Sequence, residues 1–251
     1  MEKKQLVCIR FSLAPYQSFI DELISLAKEK RSSYACVAGV HIFYESYKAT
    51  SYASIINNAN IVTPDGVPIT WALRWLYGIR QDRVAGMDLL PDLLASAEKH
   101  QVSVAFFGGT EELMKIAGEY LKKTYPNLLV AKMYSPPFRP LTSEENRDIT
   151  KMFNDSDARM IFVVLGCPKQ ERWMDSQKDQ IHALMIGIGG ALPVLVGLQK
   201  RAPMWMQNVG LEWLFRLTQE PKRLFKRYAR ANSLFIYLIL KEKFAFKRVK
   251  S

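Results

Sequence analysis

The chain has 251 residues, 49% hydrophobic and 24% charged, an ordinary make-up for a folded globular protein that excludes disorder as its main state. Cys8, Cys36 and Cys167 are odd in number, scattered and without CxxC spacing, which suggests neither a disulfide framework nor a zinc site and predicts buried thiols. The net charge of +11 is concentrated: residues 200–251 hold 13 Lys and Arg against 3 Asp and Glu, so a near-neutral, enzyme-like part precedes a part suited to a polyanionic surface.

From the amino terminus, "MEKKQLVCIRF" has a charged start but no apolar stretch of signal-peptide length, so a cytoplasmic location is expected. Apolar runs at 34–40, 61–62, 102–107, 128–133, 160–165 and 183–188 predict strands. Between them, residues 47–58, 68–77, 87–100, 111–124 and 143–153 repeat apolar side chains at three- and four-residue spacing and predict helices. This alternation predicts an α/β fold, a Rossmann-like and mostly parallel sheet with helices on both faces. The three prolines of "YSPPFRPLT", residues 134–142, hold that stretch as an extended loop. The expected organisation is a catalytic domain over 1–198 and a basic helical appendage over 199–251. Within the appendage, Leu224, Tyr228, Ala231, Phe235 and Leu238 recur at helical spacing as an apolar stripe, flanked by Arg223, Lys226, Arg227 and Arg230. The apolar run at 234–240 is far below the ~20 residues that span a bilayer, so this helix is expected to lie on an anionic membrane rather than cross it.

In such a sheet, ligands bind beyond the carboxyl ends of the strands, so the strand exits are the places to look. "FFGGTE" ends one strand in Gly108 and Gly109 with Thr110 as a helix cap. "VLGCPKQE" ends another and presents Gly166, Lys169, Gln170 and Glu171. "IGIGG" ends a third with Gly187 and Gly189. Exits without bulky side chains let backbone N–H groups approach a phosphate, although none of these fits the GxGxxG or Walker spacing. Asp65 in "NIVTPDGVPITW" lies on the same edge. Two readings stand for it: a residue of a type I turn, with Pro64 first and Gly66 last, or a carboxylate held rigidly as a general base. Asp155 and Asp157 in "DSD" imitate a metal motif but precede a strand, on the opposite edge.

Taken together, "VTPDGVPITWALR", "RVAGMDLL", "FFGGTEE", "PPF", "LGCPKQERWM", "GIGGA", "KRAPMWMQNVGLEWLFRL" and "EPKRLFKRY" resemble, in order and over about residues 34–230, the WecG/TagA/CpsF glycosyltransferases (glycosyltransferase family 26). The resemblance implies transfer of a sugar, often an N-acetylmannosamine derivative, from a UDP-sugar to a polyprenyl-diphosphate-linked saccharide in bacterial wall or capsule synthesis. It implies inversion without metal or other cofactor, with Asp65 as the base. It adds His41, Thr63, Arg83, Asp88 and Arg201 to the glycine exits as substrate-binding candidates, and places the enzyme peripherally on the inner face of the membrane. A second copy of the chain is left open as a partner. Two positions depart from the family pattern: Gly39 with His41, where many members carry threonine and asparagine, and Pro193, where many carry an aspartate. Other readings are weaker on the residues. A nucleic-acid binder accounts for the basic tail but finds no recognition element in the first part. A dinucleotide-dependent oxidoreductase lacks its glycine fingerprint, and a non-enzymatic membrane adaptor leaves the strand exits idle.

Overall fold

In the computed structural model, which describes residues 1–249, the residues ahead of the first predicted strand form a hairpin that the apolar pattern does not announce. Its strands β1 (Glu2–Leu6) and β2 (Ile9–Leu13) pair antiparallel, and α1 (Tyr16–Lys28) follows. The alternation then runs through β3 (Ser33–Ala38), α2 (Val40–Lys48), α3 (Thr50–Asn58), β4 (Ile61–Pro64), α4 (Val67–Tyr77) and α5 (Gly86–His100). It continues with β5 (Val104–Gly108), α6 (Glu111–Thr124), β6 (Val130–Tyr134), α7 (Ser143–Asp155), β7 (Met160–Val164), α8 (Lys169–Ser176), β8 (Leu184–Gly187) and α9 (Ala191–Leu195). Strands β3 to β8 make one parallel sheet in the order β4-β3-β8-β7-β5-β6. The fold is α/β and Rossmann-like.

Local chemistry sets the boundaries. Thr110 Oγ1 accepts the Leu113 N–H at 3.1 Å and starts α6, and a reciprocal Thr142–Glu145 capping box starts α7. Strand β3 ends two residues earlier than the apolar run, because the chain turns at Gly39 into α2. Every residue of β3, β4, β5, β7 and β8 is buried, as a sheet covered on both faces requires; the edge strand β6 is largely open. Helices α1, α5 and α6 pack on one face, joined by Ala191 and Leu192 of α9. The hairpin, α2, α3, α4, α7 and α8 pack on the other.

The remaining described residues form α10 (Met204–Asn208), α11 (Glu212–Gln219) and the long α12 (Pro221–Val249). Here the structure corrects the expected membrane stripe. Leu224, Ala231, Phe235, Leu238 and Ile239 are buried in the protein, α12 packing on α2 and α4, with the Phe235 ring edge-on to Phe43 at 4.9 Å. Helical periodicity identifies an apolar face but not what covers it, and this face completes the core on the hairpin side of the sheet. No helix among the described residues is long and apolar enough to cross a membrane.

Candidate active site

The strand order breaks its sequence between β3 and β8, and the crevice at such a break is where an open α/β sheet binds its ligand. A cleft of about 610 Å³ lies there, floored by the exits of β3, β4, β7 and β8 and walled by α11 and α12. A shallower hollow of about 650 Å³ between Glu98 and Leu129 sits at the amino-terminal edge of the sheet, away from every strand exit.

Asp65 stands at the end of β4. Its N–H donates to the Ala38 carbonyl at 3.1 Å, and the Pro64 carbonyl accepts the Val84 N–H at 3.1 Å, so "TPD" prolongs the strand and the type I turn does not form. Gly66 follows with φ +98, a conformation that favours glycine, and α4 starts at once with Pro68 in its first turn. The carboxylate is thus fixed by a ladder on one side and a helix start on the other. Gly39 packs against it: a Cβ there would lie 3.1 Å from the Asp65 carbonyl and 3.5 Å from Oδ2. Burial pushes the Asp65 carboxyl up to about 7, and the Glu212 charge adds to the rise; Arg83 and Arg216 oppose it.

Around Asp65 the charges are clamped. Arg83 donates from Nη1 to Glu212 Oε2 at 3.0 Å and from Nη2 to Asp88 Oδ2 at 2.7 Å, and Arg201 pairs with the other Asp88 oxygen. Arg216, on α11 with Glu212, and Arg223 and Arg227 on α12 also line the cleft. Arg216 reaches the β8 exit so closely that a Cβ on Gly190 would lie 2.9 Å from Nη2. His41, at the start of α2, faces the same wall. Burial and then the Arg227 charge lower its pKa to about 4, so the ring is neutral, and its Nδ1 is buried without a partner.

Gln170 enters from the β7 exit. It accepts the Gly166 N–H at 3.1 Å and donates to Glu171 Oε1 at 2.7 Å, while the Tyr52 hydroxyl donates to Glu171 Oε2 at 2.9 Å. Glu171 is fully buried, and burial raises its pKa. Gly187 is small for this amide, since a Cβ would meet Gln170 Nε2 at 2.7 Å.

Of the residues singled out in the sequence, Asp65, His41, Arg83, Gly109, Gly166, Gln170, Gly187 and Gly189 line the cleft. Others lie elsewhere. Thr63 is buried within β4 and its hydroxyl donates to the Val84 carbonyl at 3.0 Å. Gly108 packs on β7, where a Cβ would strike the Val164 backbone at 2.7 Å. The Gly109 N–H is already committed to the Val164 carbonyl at 3.1 Å, so the β5 exit is a packing joint rather than a phosphate cradle. Lys169 is exposed outside the lining, and Glu171 lies behind Gln170. Asp88 and Arg201 hold Arg83 from outside the cleft. Among the four basic residues assigned to the membrane, Arg227 and Arg223 line the cleft, Arg223 at its exposed rim with Nη2 donating to Glu220 Oε1 at 2.9 Å, while Lys226 and Arg230 are exposed outside it. Asp157 is exposed at the opposite edge, paired with Lys30 at 2.9 Å.

Sequence reasoning passed over Gln207, Glu212 and Arg216, all of which line the cleft. A signal was present: Glu212 is one of three acidic residues among residues 200–251, four positions before Arg216 on one short helix.

A family model described as "Glycosyl transferase WecG/TagA/CpsF family" matches residues 4–249. Three proteins bearing the name N-acetylglucosaminyldiphosphoundecaprenol N-acetyl-beta-D-mannosaminyltransferase are similar to the chain. The one from Bacillus subtilis (strain 168) is 29% identical over 82% of this chain and 79% of its own length. That from Staphylococcus aureus (strain MW2) is 29% identical over 80% and 76%. That from Bacillus spizizenii is 26% identical over 89% and 86%.

Proposed function

The chain belongs to the WecG/TagA/CpsF glycosyltransferase family, and from that premise we propose that it moves an N-acetylmannosamine-type sugar or a related hexose from a UDP-sugar to a polyprenyl-diphosphate-linked saccharide. The likeness to the mannosaminyltransferases above supports this donor and acceptor class, and the product would serve bacterial wall or exopolysaccharide synthesis. The observation that carries the mechanism is one carboxylate with a pKa of about 7, Asp65, in a single cleft lined also by the guanidinium groups of Arg216, Arg223 and Arg227.

Inversion follows from that polarity. As the acceptor oxygen forms its bond to the anomeric carbon, its proton passes to Asp65, and the anomeric C–O bond to UDP breaks on the far side of the sugar. Negative charge grows on the departing diphosphate, and the proposed partners for it are Arg216, Arg227 and, on release from Glu220, Arg223, all of which line the cleft. A base whose pKa is about 7 is matched to neutral pH: enough is ionised to act, and it is still basic enough to take the proton. With cations of the chain in this position, the reaction is proposed to need no metal ion.

The appendage serves twice in this reading. Its inward arginines complete the cleft, and its outward side docks on the anionic leaflet that holds the lipid-linked acceptor. Support comes from exposed Lys226 and Arg230 beside outward apolar side chains of α10 and α12, among them Trp205, Phe225, Ile236 and Phe244. The protein would then work at the inner face of the cell membrane.

Asp65→Asn keeps the side chain's shape and removes its proton affinity. Turnover should fall by roughly 10²- to 10⁴-fold while UDP still raises the melting temperature as it does for the unaltered chain. Near-normal turnover in the folded variant would reduce Asp65 to a strand terminus. Activity should also survive EDTA; abolition with rescue by magnesium or manganese would overturn the metal-free mechanism.

A further inference from the structure

Besides His41 Nδ1, two buried side-chain oxygens in the cleft have no hydrogen-bond partner among the described residues, Gln207 Oε1 and Glu212 Oε1, and both come from the α10–α11 segment. Their orientations are settled by their other ends. Gln207 is 5% exposed and its Nε2 donates to the Ala202 carbonyl at 2.7 Å, so a flipped amide would set two carbonyl oxygens together. Glu212 is held by Arg83 through Oε2 alone, and the remaining oxygen is left over. The segment is seated beside the base: a Cβ on Gly210 would lie 3.0 Å from Val67 Cβ, in the first turn of the helix that follows Asp65. A native structure rarely buries acceptors without donors unless a ligand brings them.

The chemistry of the missing ligand follows from charge. A diphosphate offers acceptors only and is repelled by the Glu212 carboxylate, so it belongs with the guanidinium groups of Arg216, one turn further along α11, and of Arg223 and Arg227 on α12. A neutral sugar ring offers hydroxyl and acetamido N–H donors, and the ring beside the base must be the one whose hydroxyl loses its proton and attacks the donor sugar. We propose that Gln207 and Glu212 form the recognition subsite for the acceptor saccharide, accepting hydrogen bonds from donor groups that flank its reacting hydroxyl. The inference rests on the glycosyl-transfer reading and adds to it where acceptor specificity resides: in the α10–α11 segment, not at the strand exits.

The test uses UDP-N-acetylmannosamine as donor and short-chain polyprenyl-diphosphate N-acetylglucosamine as acceptor, with analogues that lack one non-reacting hydroxyl or the acetamido N–H. In Gln207→Leu and Glu212→Gln the acceptor KM should rise about 10- to 100-fold with the donor KM unchanged, as for loss of a buried hydrogen bond. At least one analogue should be poor for the unaltered chain, yet carry little further penalty in the variant that has already lost its contact. A purely structural role cannot produce that pairing of one analogue with one residue. Equal turnover of all analogues by the unaltered chain overturns the proposal, as does a matching rise in donor KM. Should either variant fail to fold, the analogue series on the unaltered chain still decides. If that chain glycosylates no acceptor while UDP still raises its melting temperature, the proposed acceptor chemistry is wrong. Absence of both overturns the glycosyl-transfer reading itself.

Discussion

In the proposed mechanism Asp65 meets two opposed demands, because the burial that would suit it as a base near neutral pH also makes its charge costly to hold. Near pH 3 the carboxyl is protonated in the folded and unfolded chain alike, and it costs nothing. As pH rises past the model-peptide value of 3.8 the unfolded chain releases its proton first, so the native state loses stability up to about pH 7 and the whole cost persists above it. Asp65→Asn should therefore raise the melting temperature at pH 8 and leave it unchanged at pH 3, which calorimetry at the two pH values would check. The same pKa gives kcat/KM an acid limb near pH 7, with activity rising as the carboxylate forms. Glu212 and Asp88 raise that pKa, and Arg83 and Arg216 lower it, so Glu212→Gln should move the limb to lower pH and Arg216→Gln to higher pH. A limb that ignores both changes would remove Asp65 from the rate equation.

At the level of elements, α12 has two faces of opposite consequence. Phe235 is 5% exposed against Phe43, so Phe235→Ala should cost about 3–5 kcal/mol in denaturant unfolding. Phe225 is 63% exposed on the same helix, and Phe225→Ala should stay within about 0.5 kcal/mol while weakening attachment to liposomes. Similar costs at both positions would mean that the helix does not pack as described. Elements with strong local signals were legible in the sequence: α6 and α7 start where Thr110 and Thr142 can cap them, and the central strands are uninterrupted apolar runs. The hairpin was not legible, because the lysines of β1 hide a strand that buries mainly Leu6. Nor was the start of α2, since Val40 extends the apolar run of β3 and the turn depends on Gly39 meeting Asp65, 26 residues on. The site divides the same way. A rigidly flanked carboxylate can be read locally, whereas the Gly109 N–H looks free until Val164 is brought beside it, and Glu212 has no evident task until Arg83 approaches from 129 residues away.

For the molecule as a whole, the charge asymmetry resolves into two populations within one helix. Arg227 and, at the rim beside Glu220, Arg223 line the cleft, while Lys226 and Arg230 are exposed outside it. Lys226→Gln with Arg230→Gln should weaken binding to anionic liposomes and lower its salt sensitivity, yet keep turnover of a short-chain soluble acceptor. Arg223→Gln with Arg227→Gln should lower turnover of soluble and membrane-embedded acceptors alike, by roughly 10-fold or more. Equal behaviour of the two pairs in both assays would mean that the helix is not divided in this way. The burial of α12 against α2 also gives synthesis on the ribosome a direction. Helices α1, α5, α6 and α9 can close their side of the sheet once residue 195 has emerged, but the hairpin side still lacks Phe235, Leu238 and Ile239. A nascent chain is thus half closed and, on the proposed mechanism, should be inactive until the same late helix that seals the core brings Arg223 and Arg227 to the cleft.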